Sequence, residues 1–162
     1  MARQHLRPTV HSSSGKITVW GGFTADGPRP LHRIQGNLNA AGYIAILTEH
    51  VLPLNLPGQG TMFQQDNATC HTAATTRRFF ETNGIELLPW PAQSPDLNPI
   101  ENVWSYIQQR VDLHEIHGFE QLWNVTLRVW NEMPADYLQN LINSMPRRIR
   151  EVIAAHGGSI PY

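Results

Sequence analysis

A chain of 162 residues is long enough to bury a core of its own, and 41% hydrophobic with 15% charged residues is a globular composition, which excludes a disordered tail. A formal net charge of −1 argues mildly against tight nucleic-acid binding through bulk charge, and no apolar run approaches the roughly 20 residues that cross a bilayer. The single cysteine, Cys70, rules out an internal disulfide framework and suits a reducing compartment, and the absence of a charged-then-apolar leader makes secretion unexpected.

Residues 1 to 15 are polar and turn-rich without a hydrophobic period, which predicts a loose N-terminal arm. Lys16 to Thr24 is β-branched and aromatic and reads as a strand. Asp26-Gly27-Pro28 marks a turn, and Leu31 to Gln35 returns as the second arm of a hairpin. Asn39 is positioned to cap a helix reaching about Val51, with Tyr43, Ile44, Leu47 and Val51 on one face. A connector rich in proline and glycine follows.

Thr61 to Gln65 is predicted to be a strand ended by Asp66-Asn67, and Thr72 to Asn83 a helix stopped by Asn83-Gly84. Ile85 to Leu88 reads as a short strand. Pro89, Pro91, Pro95 and Pro99 then make a rigid, largely extended crossing that neither helix nor central strand tolerates. Asn98 and Pro99 begin the next helix, whose apolar stripe is Ile100, Trp104, Ile107 and Val111. Two or three further helices are expected, at about 118–131, 134–143 and 145–155, with Gly157-Gly158 ending the last. Strands alternating with helices after a hairpin suggest an α/β sandwich with a mixed sheet.

Two carboxylates stand out. Asp66 ends a predicted strand, where functional crevices form, although an Asx-turn would use the same residue. Glu101 lies in the first turn of a helix, where it could also complete a capping box with Asn98. His71 beside Cys70 invites a zinc reading, but no second pair stands at ligand spacing, and a supporting or substrate-positioning role suits His71 better. Trp20, Trp90, Trp104, Trp123 and Trp130 fit core packing better than base stacking. Arg77 with Arg78, and Arg147, Arg148 and Arg150, read as solvated basic faces, with phosphate contact as the alternative.

QDNATCH followed by LPWPAQSPDLNPIENVW resembles the signature of the Tc/mariner superfamily of DDE transposases, in its Tc-like branch. The 34 residues between Asp66 and Glu101 match the separation typical of that branch. VWGGF, PLHRIQGNLNA and SMPRRIREVIAAHGG are similar to successive parts of the same domain, so the likeness covers residues 8 to 162.

The resemblance implies a ribonuclease-H-like α/β fold, a mixed sheet flanked by helices, over residues 16–162. It implies Mg²⁺ or Mn²⁺ as cofactor for DNA cleavage and strand transfer, one metal activating the attacking oxygen and the other stabilising the leaving one. Asp66 and Glu101 would be catalytic and metal-binding carboxylates, with Asn67, His71 and Asn98 contacting DNA or supporting the site. Double-stranded transposon-end DNA is the implied partner, with a second copy or a full-length transposase beside it and no membrane, and the implied location is the nucleus.

The family's first aspartate lies on a central strand upstream of Lys16, and Asp26, in its turn, is a poor substitute. The expectation is therefore a partial catalytic domain lacking that strand, inactive alone. The alternative is a non-enzymatic, domesticated module that binds DNA or protein.

Overall fold

The computed structural model describes residues 9–58, 60–91 and 94–156, which form two compact units. One contains residues 9–34 and 94–156; the other contains residues 35–91. Each has its own buried residues.

The first unit opens with β1 (Thr9–Ser12) and β2 (Gly15–Trp20), an antiparallel hairpin in which Val10 faces Ile17. The expected loose arm is thus corrected over residues 9–12, while residues 1–8 lie outside the described part. Two contacts with distant residues, out of reach of local pattern, account for the order. Val10 is buried. The outer edge of β1 is also paired: the Gln108 side-chain amide accepts from the His11 N–H and donates to the His11 carbonyl, both at 3.0 Å. A side chain here supplies the partner that an edge strand otherwise lacks.

After β2 the chain forms a small ribbon of β3 (Phe23–Thr24) and β4 (Gly27–Pro28), turning at Ala25-Asp26, then returns as β5 (His32–Ile34) against β2. The expected pairing of the Leu31–Gln35 arm with the first strand is observed, and the sheet order is β1-β2-β5. On β2, Ile17 and Val19 are buried at period two.

Three helices cover this core: α4 (Pro99–Val111), α5 (Phe119–Asn131) and α6 (Ala135–Ala154). Val103, Ile107 and Val111 of α4 meet Leu122, Val125 and Val129 of α5. Trp130 stacks on Trp104, with ring centroids 5.4 Å apart, and its indole N–H donates to the Arg29 carbonyl at 2.7 Å. A glycine is required at position 21, because a Cβ there would stand 2.7 Å from the Trp130 ring and 2.9 Å from Leu31.

The two helices expected at 134–143 and 145–155 are one, running through Pro146. Proline inside a helix costs about 3 kcal/mol. Leu138 and Leu141 before it and Arg148 after it are all buried. Burial of that stripe on both sides of the proline offsets the local cost. The predicted Gly157-Gly158 stop lies outside the described residues.

In the second unit, α1 (Ala40–His50) begins as predicted, with Asn39 Oδ1 accepting from the Gly42 N–H at 2.8 Å. Its buried face is Tyr43, Ile46 and Leu47, with Val51 just beyond, so Ile46 replaces the expected Ile44. The predicted strands 61–65 and 85–88 reduce to one parallel bridge between Phe63 and Leu87. Left-handed Gly58 and Gly60 keep the chain turning up to Thr61, and Pro89 has no N–H to extend the ladder.

The helix predicted at 72–83 starts earlier and is split into α2 (Thr69–Thr72) and α3 (Ala74–Thr82) at Ala73, whose ψ is 143°. There the fully buried Thr76 hydroxyl takes the Cys70 carbonyl at 2.7 Å, replacing a helical bond. The Asn83-Gly84 stop is as expected, with Gly84 left-handed and the Ile85 N–H donating to the Phe80 carbonyl at 3.0 Å.

Candidate active site

Asp66 sits between the Phe63 bridge and α2, at the end of an extended segment. Its Oδ1 accepts from the Ala68 N–H at 3.0 Å, the Asx-turn that local sequence allows, and also from His71 Nδ1 at 2.6 Å. A carboxylate only accepts, so the proton lies on the Nδ1 of His71. The Asp66 side chain is 39% exposed and that of His71 only 16%, so the imidazole backs a carboxylate that faces outward.

Buried Tyr43 and half-buried Gln65 and Asn67 support the pair. The Tyr43 ring lies 4.2 Å from that of His71, and its hydroxyl donates to Gln65 Oε1 at 2.7 Å. Gln65 Nε2 donates in turn to the His71 carbonyl at 3.4 Å. Asn67 donates to the Trp90 carbonyl at 3.2 Å, which ties the Asp66 loop to the start of the proline segment. A shallow cleft of about 160 Å³ lies here, with Asp66, Asn67, His71, Thr72 and Arg77 on its polar part and Leu87, Leu88, Pro89 and Trp90 on its apolar part. An aspartate oxygen presented at such a cleft is the hard donor that Mg²⁺ and Mn²⁺ take.

Glu101 belongs to the other unit, in the first turn of α4. Its N–H donates to the Asn98 carbonyl at 3.1 Å, and its carbonyl accepts from the Ser105 hydroxyl at 3.0 Å. Asn98 precedes the helix in extended conformation, but its side chain makes no capping bond, so that half of the capping box is not realised. A turn over Pro95–Leu97 leads into it.

Arg148 of α6 holds this region and corrects the reading of 147–150 as a solvated basic face. It is 3% exposed. It donates to the Asp96 carbonyl at 2.9 Å, to Asn102 Oδ1 at 2.8 Å and to the Ser144 hydroxyl at 2.8 Å. Arg147 and Arg150 remain exposed, as do Arg77 and Arg78. The residues that sequence reasoning missed are Arg148, Tyr43, Gln65 and Tyr137. For Arg148 a signal existed: it continues the helical stripe of Leu138 and Leu141.

Tyr137, also on α6, donates to the Asn102 carbonyl at 3.1 Å and packs its ring 4.8 Å from that of Tyr106. Burial, and secondarily Tyr106, raise its pKa above the ordinary value, against lowering contributions from Arg110 and Arg148. As pH rises, the unfolded chain loses this proton first, so the group's contribution is full below about pH 10. It is lost as pH climbs toward the folded-state pKa. Tyr137→Phe is therefore expected to be about 1 kcal/mol less stable at neutral pH, where a hydrogen bond is missing, and to lose stability less steeply above pH 10. Denaturant titrations at pH 7 and across the alkaline range check both parts.

The structure thus brings Asp66, Asn67 and His71 together in one unit, and Asn98 and Glu101 together in the other. Comparison with known proteins adds to this geometry. Residues 3–123 match the model of a family described as DDE superfamily endonuclease. The Tc1 transposase of Caenorhabditis elegans is 38% identical over 157 residues, covering 96% of this chain and 58% of its own length. The Tcb1 transposase of Caenorhabditis briggsae is 37% identical, covering 99% of this chain and 60% of its own length.

The chain therefore spans less than two thirds of these relatives. Among solved structures, the Mos1 mariner transposase catalytic domain superposes with a TM-score of 0.81 at 20% identity, covering 94% of this chain and 80% of that one. A pre-cleavage Mos1 transpososome gives 0.82 at 20% identity, covering 99% of this chain and 48% of that one. The ribonuclease-H-like fold is the one this likeness shows. Mos1 catalytic-domain structures with Mg and with Mn are also among the matches.

Proposed function

The chain belongs to the DDE superfamily endonuclease family, and on that premise we propose that it is part of the catalytic domain of a Tc-like transposase, an enzyme class that cuts and joins DNA at transposon ends with divalent metal. The observation that carries this reading is the Asp66 carboxylate, whose Oδ1 accepts from Ala68 and His71 and which is partly exposed at the cleft that Arg77 also lines. Asp66 and Glu101 are the proposed metal donors. When bound, Mg²⁺ or Mn²⁺ would activate an attacking oxygen and stabilise a leaving one.

The chain's own residues have simpler tasks. His71 fixes the rotamer of Asp66 by donating from Nδ1, and Tyr43 and Gln65 keep the imidazole and its backbone in place. Asn67 holds the strand-end loop to the proline segment. Arg77 at the cleft supplies positive charge suited to a phosphate. Nuclear location and pairing with a second copy or a longer transposase belong to the same proposal, as does double-stranded transposon-end DNA as partner. Among the described residues no helix is long and apolar enough to cross a membrane.

Two measurements on the 162-residue polypeptide test the reading. Mn²⁺ titration followed by electron paramagnetic resonance should show binding that Glu101→Gln weakens; equal binding by both proteins overturns the metal assignment. In a plasmid-nicking assay with Mg²⁺ or Mn²⁺, this polypeptide is expected to be inactive, because the resemblance calls for three carboxylates and assigns two of them here. Nicking abolished by Glu101→Gln would overturn that part and leave the site standing.

A further inference from the structure

We infer that Arg148, far along the chain from either proposed carboxylate, is a positioning residue for Glu101; the inference rests on the metal-donor reading of Glu101 given above. Glu101 lies between two residues that α6 grips. On one side the Arg148 guanidinium donates to the Asp96 carbonyl, and on the other to Asn102 Oδ1. Tyr137, eleven residues earlier on the same helix, donates to the Asn102 carbonyl at 3.1 Å. Asn102 is therefore held twice, through main chain and side chain, and Asp96 once.

The guanidinium is held in turn by Ser144, whose hydroxyl accepts from Nε and donates on to the Leu141 carbonyl at 2.6 Å. A planar fork at 3% exposure that spans three acceptors fixes the pitch and rotation of the turn carrying Glu101. A surface arginine recruited for charge alone would need none of these partners. Such outer partners commonly set the orientation of a metal ligand and change affinity by about 10- to 100-fold when lost.

The test compares Mn²⁺ affinity and amide hydrogen exchange in the native 162-residue chain, Arg148→Met, Arg148→Lys, Asn102→Ala, Ile17→Ala and Glu101→Gln, all below their melting temperatures. Ile17→Ala is the control for simple destabilisation, since Ile17 is buried on β2. Arg148→Met and Asn102→Ala are expected to weaken Mn²⁺ binding about tenfold or more and to speed exchange in residues 98–103. Ile17→Ala is expected to lower the melting temperature without either effect.

Lysine keeps the charge and cannot span the three acceptors, so Arg148→Lys should behave as Arg148→Met does. Unchanged Mn²⁺ affinity in the Arg148 variants, or full rescue by lysine, overturns the inference while the Glu101 reading stands. If Arg148→Met does not fold, Asn102→Ala decides, because it removes only one acceptor. Unchanged affinity in Glu101→Gln overturns the reading and the inference together.

Discussion

Asp66→Asn is expected to fold as the native chain does and to lose Mn²⁺ affinity by ~100-fold or more, since changes even to the partners of a metal ligand cost 10- to 100-fold. The two halves of this expectation come from different atoms. Asn keeps an Oδ1 that can accept from the Ala68 N–H and from His71, so the Asx-turn survives. What it removes is the negative charge that a hard cation requires.

Asp66→Ala removes both: the Ala68 N–H loses its acceptor, and His71 Nδ1 keeps only the longer 3.3 Å contact to the residue-66 carbonyl, at a cost of about 1–3 kcal/mol. Thermal melts beside Mn²⁺ titrations of the two variants separate the structural role from the metal role. An Asn variant that binds Mn²⁺ as the native chain does would reduce Asp66 to a turn residue.

Trp130→Ala carries the largest expected stability effect. The side chain is 1% exposed, stacks on Trp104 and bonds to the Arg29 carbonyl. It seats against Gly21, where a Cβ would collide with its ring. Truncating a buried tryptophan costs about 3–5 kcal/mol, and the orphaned carbonyl adds about 1 kcal/mol. Against a net stability of about 5–15 kcal/mol this is a large share. The melting temperature should fall on the order of 10 °C.

Trp130→Phe retains much of the ring contact and loses the bond, so a drop of less than half that size is expected. A loss below about 1 kcal/mol in Trp130→Ala would contradict the packing described here.

Features decided within a few residues were legible without coordinates. Asn39 caps α1 through the Gly42 N–H three residues on, Gly84 takes the left-handed conformation that ends α3, and Pro99 opens α4. The candidate site was legible in part for the same reason. Asp66 and His71 are five residues apart, within reach across one loop, and Asn98 and Glu101 share one helical turn.

Elements that depend on distant partners were not legible. TVHS looks like a loose arm until Gln108, 97 residues away, pairs with the His11 backbone. The segments at 61–65 and 85–88 have strand composition, yet they pair only at Phe63 and Leu87. Pro146 marks a break by every local rule, and α6 passes through it.

By itself, then, the sequence determined the family, the pairing of the Leu31–Gln35 arm with β2 and the Asn39 cap of α1, because these rest on local backbone chemistry and on a motif that includes residues 66–101, where Asp66 and Glu101 are the proposed metal donors. Only the tertiary structure decided that Arg148 is a buried clamp instead of a surface charge. Two of its three acceptors lie 46 and 52 residues upstream, and burying a guanidinium is favourable only when such acceptors converge on it.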